Sequence, residues 1–577
     1  MRYQLHNNRL PKHLWEYQSP DNTIVQELAR ELDMPEFVAS VLVQRGYQDL
    51  ENAVQFLNPS LNDLHDPFLF KDMDRAVERI RQAFLRQEKV LICGDYDVDG
   101  ITSVALLKRA LPSTGIDVFY YLPNRMSEGY GFHEHSVEYA RSIGAALMIT
   151  VDCGITSRDT VEYAKQYDID TIITDHHEQN GPLPDAVAVL NPKREDSTYP
   201  DDNLAGIGVA FKLVHALVMQ GMFRFPMTSM LELVALGTVA DVANLTGENR
   251  ILVHHGLQAL THTSHPGLIA LKKVAHVVHG RSMDPFTIGY QLGPRINAVG
   301  RLGSPEEALK LLLARDSIHA DQLAQLMDTI NHKRQAIEEG ILKKVRQEVE
   351  GMDLDSEPFI VVYGDDWHEG VIGIVASKIT DKYYRPTCVI SIKDGVGKGS
   401  GRSIPSFSLF DCLSEVSDKL IEFGGHQIAA GFRILPENIE DFRKACLDIA
   451  LTKLKPEDLI PKTSIDAETS LEEINFRSIR SLNQLAPFGL GNPKPKFLIR
   501  NLHHRYRPRT VGADGNHMKL TLASDRRFID AIAFGFGPHI DEVLSANKVE
   551  VIATPEINHW NRREMLQLHI HDIRPAL

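Results

Sequence analysis

Three aspartates on alternate positions, Asp95, Asp97 and Asp99 in VLICGDYDVDGITS (residues 90–103), follow an apolar run and precede a helical pattern. If the backbone stays extended through them, all three carboxylates project from one face, a spacing that suits divalent cations better than proton transfer. Asp-x-Asp also occurs in solvated loops and at helix caps. Recurrence strengthens the metal reading. AALMITVDCGI (145–155) places Asp152 at the end of an apolar run, DTIITDHHE (170–178) places Asp175, His176 and His177 at the end of another, and in LVALGTVADVANL (233–245) Asp241 follows an apolar helical segment.

The elements that must carry these residues are near-continuous apolar strands alternating with amphipathic helices. That pattern indicates a parallel sheet covered on both faces, and such sheets bind ligands beyond the carboxyl ends of their strands. The acids and histidines therefore converge.

GDYDVDG, TVDCG, TDHHE and GTVADV, in that order, resemble motifs I to IV of the DHH phosphoesterase superfamily, and from about residue 50 to 570 the chain resembles the RecJ family of single-strand-specific DNA exonucleases. The resemblance implies an α/β multidomain fold: a parallel-sheet DHH domain, a smaller α/β DHHA1 domain joined by a long helix, and a C-terminal OB-like β-barrel. The corresponding divisions are a helical cap at 1–55, DHH at 56–315, a connecting helix at 316–355, DHHA1 at 356–455 and the OB-like domain at 456–577.

Two divalent cations, Mn2+ or Mg2+, suit a donor set of several carboxylates and one imidazole. The expected ligands are Asp97, Asp99, Asp152, His176 and Asp241, with Asp152, alone at a central strand end, bridging the ions and Asp95 ligating or orienting. Many superfamily members open the first motif with a histidine ligand where this chain has Cys93, which leaves one ion's coordination open, with Asp95 the available replacement. His177 is assigned to the scissile phosphate or the leaving oxygen, and Asp175 to holding the histidine pair in orientation. Adjacent histidines on an extended strand would point to opposite faces.

Several stretches supply candidate phosphate donors. Arg125 lies in PNRMSEGYGF, just after the strand pattern 117–122. GPRINAVGRLG (293–303) reads as a loop, because three glycines and a proline break regular structure, and offers Arg295, Asn297 and Arg301. In the second α/β unit, GKGSGRSIPSFSLFDCL carries Ser400, Arg402 and Ser403, and FGGHQIAAGF carries Gly424, Gly425 and His426. Glycines let a phosphate approach the backbone. Between the two units, residues 321–350 are a long charged helical pattern.

From about 460 the texture becomes short alternating strands: FLIRNL, HMKLTLAS, FIDAIAFGF, VEVIATPEI and MLQLHIHDI. Such runs fit a small barrel that binds single strands, with Tyr506 and Trp560 as candidate base-stacking residues and the acid-free KPKFLIRNLHHRYRPR (494–509) as a basic track.

A net charge of −15 argues against indiscriminate coating of nucleic acid. Hydrophobic content of 43% and charged content of 24% are those of a globular protein; no apolar run suffices for a membrane span and the start lacks a signal-peptide core, so a cytoplasmic protein without a membrane partner is expected. The five scattered cysteines form no CxxC pair.

The resemblance further implies 5′ to 3′ digestion of single-stranded DNA to mononucleotides in recombination and repair, with single-strand-binding protein and a RecQ-type helicase as partners; a monomer is expected. Two alternatives stand beside it. One is a DHH phosphodiesterase of short oligoribonucleotides or cyclic dinucleotides, which needs no hundred-residue β-patterned extension. The other is a non-catalytic replication scaffold, which would show eroded aspartates.

Overall fold

The computed structural model describes residues 10, 12–125, 128–129, 131–278, 280–560 and 563–576. Five parallel strands form the first sheet, in the order Asp117–Tyr121, Lys89–Gly94, Ala145–Val151, Asp170–Thr174, Ala188–Leu190. Their interiors are buried on both faces, which is why the sequence shows continuous apolar runs rather than alternation. One face packs against a large cluster including Ile92, Ile149, Leu107 and Val214, and the other against Leu91, Met148, Ile173 and Val137. The strand order reverses between Lys89–Gly94 and Ala145–Val151, so a crevice opens beyond their carboxyl ends. Asp95 and Asp152 are the next residues after those two strands.

The segment expected to be a loop is helical. A π-helical turn, Ile288–Leu292, runs directly into the helix Gly293–Leu302. Pro294 lies where the π turn passes into the α-helix, so its missing N–H removes one rung at that junction, and Gly300 is kept small by packing: a Cβ there would lie 2.7 Å from the Tyr96 carbonyl oxygen. A 33-residue helix, Ser317–Val349, then leads to a mixed five-stranded sheet in the order Leu420–Gly425, Ala429–Ile434, Val396–Arg402, Thr387–Lys393, Ile360–Asp365.

Five C-terminal strands close into a barrel. Phe497–His504 pairs with both Val549–Trp560 and His517–Ala523, and Phe528–Ala533 and Arg563–Pro575 complete the ring. Each strand corresponds to one of the alternating runs.

The N-terminal residues are not purely helical. Leu14–Tyr17 is a strand pairing in parallel with Lys462–Ile465, and the helices Asn22–Glu31, Glu36–Gln44 and Leu50–Leu57 share a core with Leu482, Leu485 and Phe497. Among the described residues no helix is long and apolar enough to cross a membrane.

Candidate metal centre

The three alternate aspartates reach one cluster, but not from a single extended strand. The chain turns at Val98 into the helix Val98–Ala110, so Asp95 ends a strand, Asp97 caps the helix by accepting from Gly100 N–H at 3.1 Å, and Asp99 lies in its first turn. Asp99 is fully buried and accepts the Gly206 and Ile207 N–H groups, at 2.7 and 2.8 Å, from the N-terminus of the helix Gly206–Met219. That helix end favours negative charge.

The acids and imidazoles converge beyond the strand ends. His176 Nε2 lies 3.0 Å from Asp152 Oδ1 and 3.9 Å from carboxylate oxygens of both Asp99 and Asp241. Three overlapping groups, Asp95 with Asp97 and Asp152, Asp99 with His176 and Asp241, and Asp152 with His176 and His177, each bring their donor atoms within 4.8 Å of one another. Asp152 belongs to two of them, and its left-handed backbone (φ 61°) turns the side chain into the cluster. Asp241 caps the C-terminus of the helix Leu231–Ala240.

Electrostatics define what the cluster can hold. Burial, then neighbouring carboxylates, push Asp95, Asp99 and Asp152 well above the ordinary carboxylate range, and Asp241 up to about 7. Burial followed by the charge of His177 holds His176 down to about 3, so its imidazole is a neutral donor. Asp95 Oδ1 is buried without a hydrogen-bond partner among the described residues, and buried His176 Nε2 faces carboxylate oxygens. Buried like charges with open donor atoms call for cations, and a set of carboxylate oxygens plus one imidazole fits Mn2+ and Mg2+.

His177 and Asp175 form a separate unit. Asp175 Oδ1 lies 2.7 Å from His177 Nδ1 and accepts the backbone N–H of both histidines, while Oδ2 accepts from Ile155 N–H. Burial opposes both charges, but their mutual hydrogen bond and attraction outweigh it, holding Asp175 below and His177 above their ordinary values. The histidines do not point to opposite faces: the strand ends at Thr174, and their rings lie 4.5 Å apart.

Cys93 faces the apolar cluster with Phe132 and Val137, where burial raises its thiol, so it stands outside the carboxylate group. Arg295 is also spent elsewhere. It binds Asp328 Oδ1 at 2.9 Å and the carbonyls of Gln291 and Val274, fixing its helix to the long helix rather than facing the crevice. Its helical neighbours Asn297 and Arg301 do face it. They line a cavity of about 320 Å³ with Asp95, Tyr96, Asp97, Asp241 and Arg125, the last over the Tyr96 ring at 5.0 Å.

Arg125 and Arg301 share that cavity with the carboxylates, Arg402 lies near enough to act on Arg301, and Arg334 is held in its own helix by Glu338 and Asn331. Burial and the charges of Arg125, Arg334 and Arg402 lower Arg301 to about 10, and burial and Arg125 lower Arg402. Arg402 donates to Ser400 Oγ at 3.4 Å, and Arg301 donates to the Gly370 carbonyl at the start of the helix Glu369–Tyr383. Ser403 instead closes its own turn by donating to the Phe407 carbonyl. In the sheet register Ala429 pairs with Arg402 and Gly431 with both Ser400 and Gly424, so the exposed Gly424, Gly425 and His426 lie one strand removed from Ser400 and Arg402, across Ala429–Ile434.

Sequence reasoning missed Gly206, where a Cβ would lie 2.8 Å from the Asp152 carboxylate; LAGIGVA, a small-residue helix start, is the signal for it. On the barrel, the basic run is partly neutralised by Lys494–Glu556 and by Arg500 with Glu468 and Glu550, whereas Tyr506 is exposed beside Arg505. The side chain of Trp560 lies outside the described residues.

Fold and centre together define a DHH-superfamily protein with DHHA1 and barrel modules. Family models match accordingly: the DHH family N-terminal domain at 89–238, the DHHA1 domain at 356–450 and the RecJ OB domain at 465–572. The chain is 40% identical to the single-stranded-DNA-specific exonuclease RecJ of Bacillus subtilis over 97% of this chain and 70% of that protein, and 34% identical to that of Haemophilus influenzae over 90% and 93%. RecJ from Thermus thermophilus, solved with Mn2+, superposes with a TM-score of 0.85 at 28% identity over 99% of this chain and 80% of that one; its Mg2+ complex gives 0.78 at 27% over 98% and 79%. The chain belongs to the RecJ family.

Proposed function

We propose that this chain is a metal-dependent exonuclease that hydrolyses single-stranded DNA from the 5′ end, releasing mononucleotides in recombination and repair. The observation that carries the reading is the cavity that clustered carboxylates share with Arg125 and Arg301. Carboxylates for divalent cations and guanidinium groups for phosphate oxygens in one cavity suit a phosphodiester.

Asp97, Asp99, Asp152, His176 and Asp241 would hold Mn2+ or Mg2+, with Asp152 shared and Asp95 supporting. Bound there, the cations supply an activated water and neutralise charge on the scissile phosphate. His177, held by Asp175, donates a hydrogen bond to that phosphate or a proton to the leaving oxygen. Arg125, Asn297 and Arg301 position the phosphates, and Ser400, Arg402 and the Gly424–His426 hairpin clamp the terminal one. Arg295 supports their helix. The divisions at 55, 315, 355 and 455 belong to the same reading, as do action as a monomer and cooperation with single-strand-binding protein and a RecQ-type helicase.

The test is digestion of a 5′-labelled single strand with Mn2+, beside a blunt duplex, a dinucleotide and an Asp152→Ala variant. Rapid release of labelled mononucleotide from the single strand alone, lost in the variant, is expected. Equal digestion of the duplex, or preference for the dinucleotide, overturns the assignment.

A further inference from the structure

The π-helical turn before Asn297 and Arg301 carries a feature that the catalytic reading leaves unused. Phe286 and Tyr290 stack on each other, ring centroids 4.6 Å apart and planes at 25°. Yet Phe286 is 60% and Tyr290 74% exposed. Leaving two large rings in water forgoes the stabilisation that burial would give. One face of the Tyr290 ring meets Phe286, so its exposure comes from the other face and the edges. Next to it, Gly289 presents bare backbone, with nothing within 4 Å of where a Cβ would stand.

Position makes the pair more than a surface accident. Ile288–Leu292 continues without a break into Gly293–Leu302, and a Cβ on Gly293 would lie 3.4 Å from Ala240, the neighbour of Asp241. Asn297 follows Tyr290 by seven positions, about 10 Å of helix. A strand with its scissile phosphate in the cavity would therefore bring a base beyond the two that flank that phosphate within reach of the Tyr290 ring. The π-turn that presents the ring is uncommon, and such turns concentrate at functional sites.

We propose that Tyr290, backed by Phe286, is a stacking platform for a nucleobase of the single strand held at the metal centre. The proposal rests on the exonuclease reading and adds a base-binding site to its phosphate contacts. Aromatic faces accept any base, so the platform gives strand affinity without sequence preference.

The experiment compares the full-length wild type with Tyr290→Ala, Phe286→Ala and Tyr290→Trp on three substrates with Mn2+: a long single strand, the same strand carrying a run of abasic residues near its 5′ end, and a dinucleotide. Tyr290→Ala should raise KM for the long strand roughly tenfold, with a smaller rise for Phe286→Ala and restoration by Tyr290→Trp. The abasic strand should raise the wild-type KM similarly and affect Tyr290→Ala little further. Cleavage of the dinucleotide, too short to reach the platform, should stay within about twofold of wild type.

An unchanged KM for the long strand overturns the platform while leaving the exonuclease reading intact. So does an equal loss on the dinucleotide, which would mean that the substitution merely displaced Asn297 and Arg301. A wild type inactive on single strands sinks both. If Tyr290→Ala instead shifts a concentration-dependent oligomer seen by sedimentation, with unchanged KM, the patch is a contact between copies of the chain and the platform is refuted.

Discussion

Asp152 is the residue on which the centre turns, because its carboxylate belongs to two of the three donor groups and its positive φ aims it there. Replacing it by Ala should reduce cleavage at least 100-fold, measured as release of labelled mononucleotide. In EDTA the same variant should melt no lower than wild type, since it relieves repulsion among buried carboxylates. Arg295 behaves oppositely. Its three nitrogens all have protein partners, so Arg295→Ala should cost about 2–3 kcal/mol in urea unfolding, with no selective rise in KM for longer strands. A KM effect without destabilisation would return it to the substrate.

At this scale, residue types at strand ends make the cluster legible, whereas orientation is not. Alternation along an extended chain places Asp95, Asp97 and Asp99 together and His176 and His177 apart. The acids do meet, though by a helix start after Asp97 rather than by alternation, while the strand end at Thr174 brings the two histidine rings together, because the side-chain period changes where the backbone does.

Among the elements, the helix Gly293–Leu302 shows why glycines mislead. Its Gly300 reads as a helix breaker in the sequence, yet it lets the helix approach the Tyr96 carbonyl beside the metal-site aspartates. Gly300→Ala should push that helix outward, costing about 1–3 kcal/mol by urea unfolding and lowering cleavage of long strands as Asn297 and Arg301 withdraw. Helix propensity alone would predict a stabilised protein.

The barrel gives a pH-dependent prediction. Burial, then the neighbouring His569 and lysine charges, holds His571 at about 3, against 6.5 when unfolded. Below pH 6.5 the unfolded chain binds a proton that the native state refuses. Stability from this group is therefore complete above 6.5 and falls by about 1.4 kcal/mol per pH unit as pH drops towards 3. His571→Gln should flatten that part of the profile in urea unfolding at pH 7, 6 and 5. The barrel strands themselves are legible, since a half-buried sheet alternates every second residue.

Across the whole molecule, the N-terminal segment ties distant modules together. Arg250, buried in the DHH-side helix Gly247–Thr261, donates to the carbonyls of Phe56, Gln484 and Leu485, so one guanidinium joins three parts of the chain. Nothing local in the sequence announces this, or the pairing of Leu14–Tyr17 with Lys462–Ile465 across some 450 residues. Arg250→Ala leaves those carbonyls without their donor. It should loosen the barrel from the catalytic sheet, reducing nucleotides released per binding event in a trapped single-turnover assay while dinucleotide cleavage is kept. Loss of both in parallel would mark a general folding defect instead.

The central claim, that one buried acidic cluster grips a pair of cations, is tested most directly by anomalous scattering at the manganese edge from crystals grown with Mn2+. Two peaks within the group formed by Asp97, Asp99, Asp152, His176 and Asp241, with Asp152 contacting both, are predicted. No peak there, or a single ion without contact to Asp152, would contradict it.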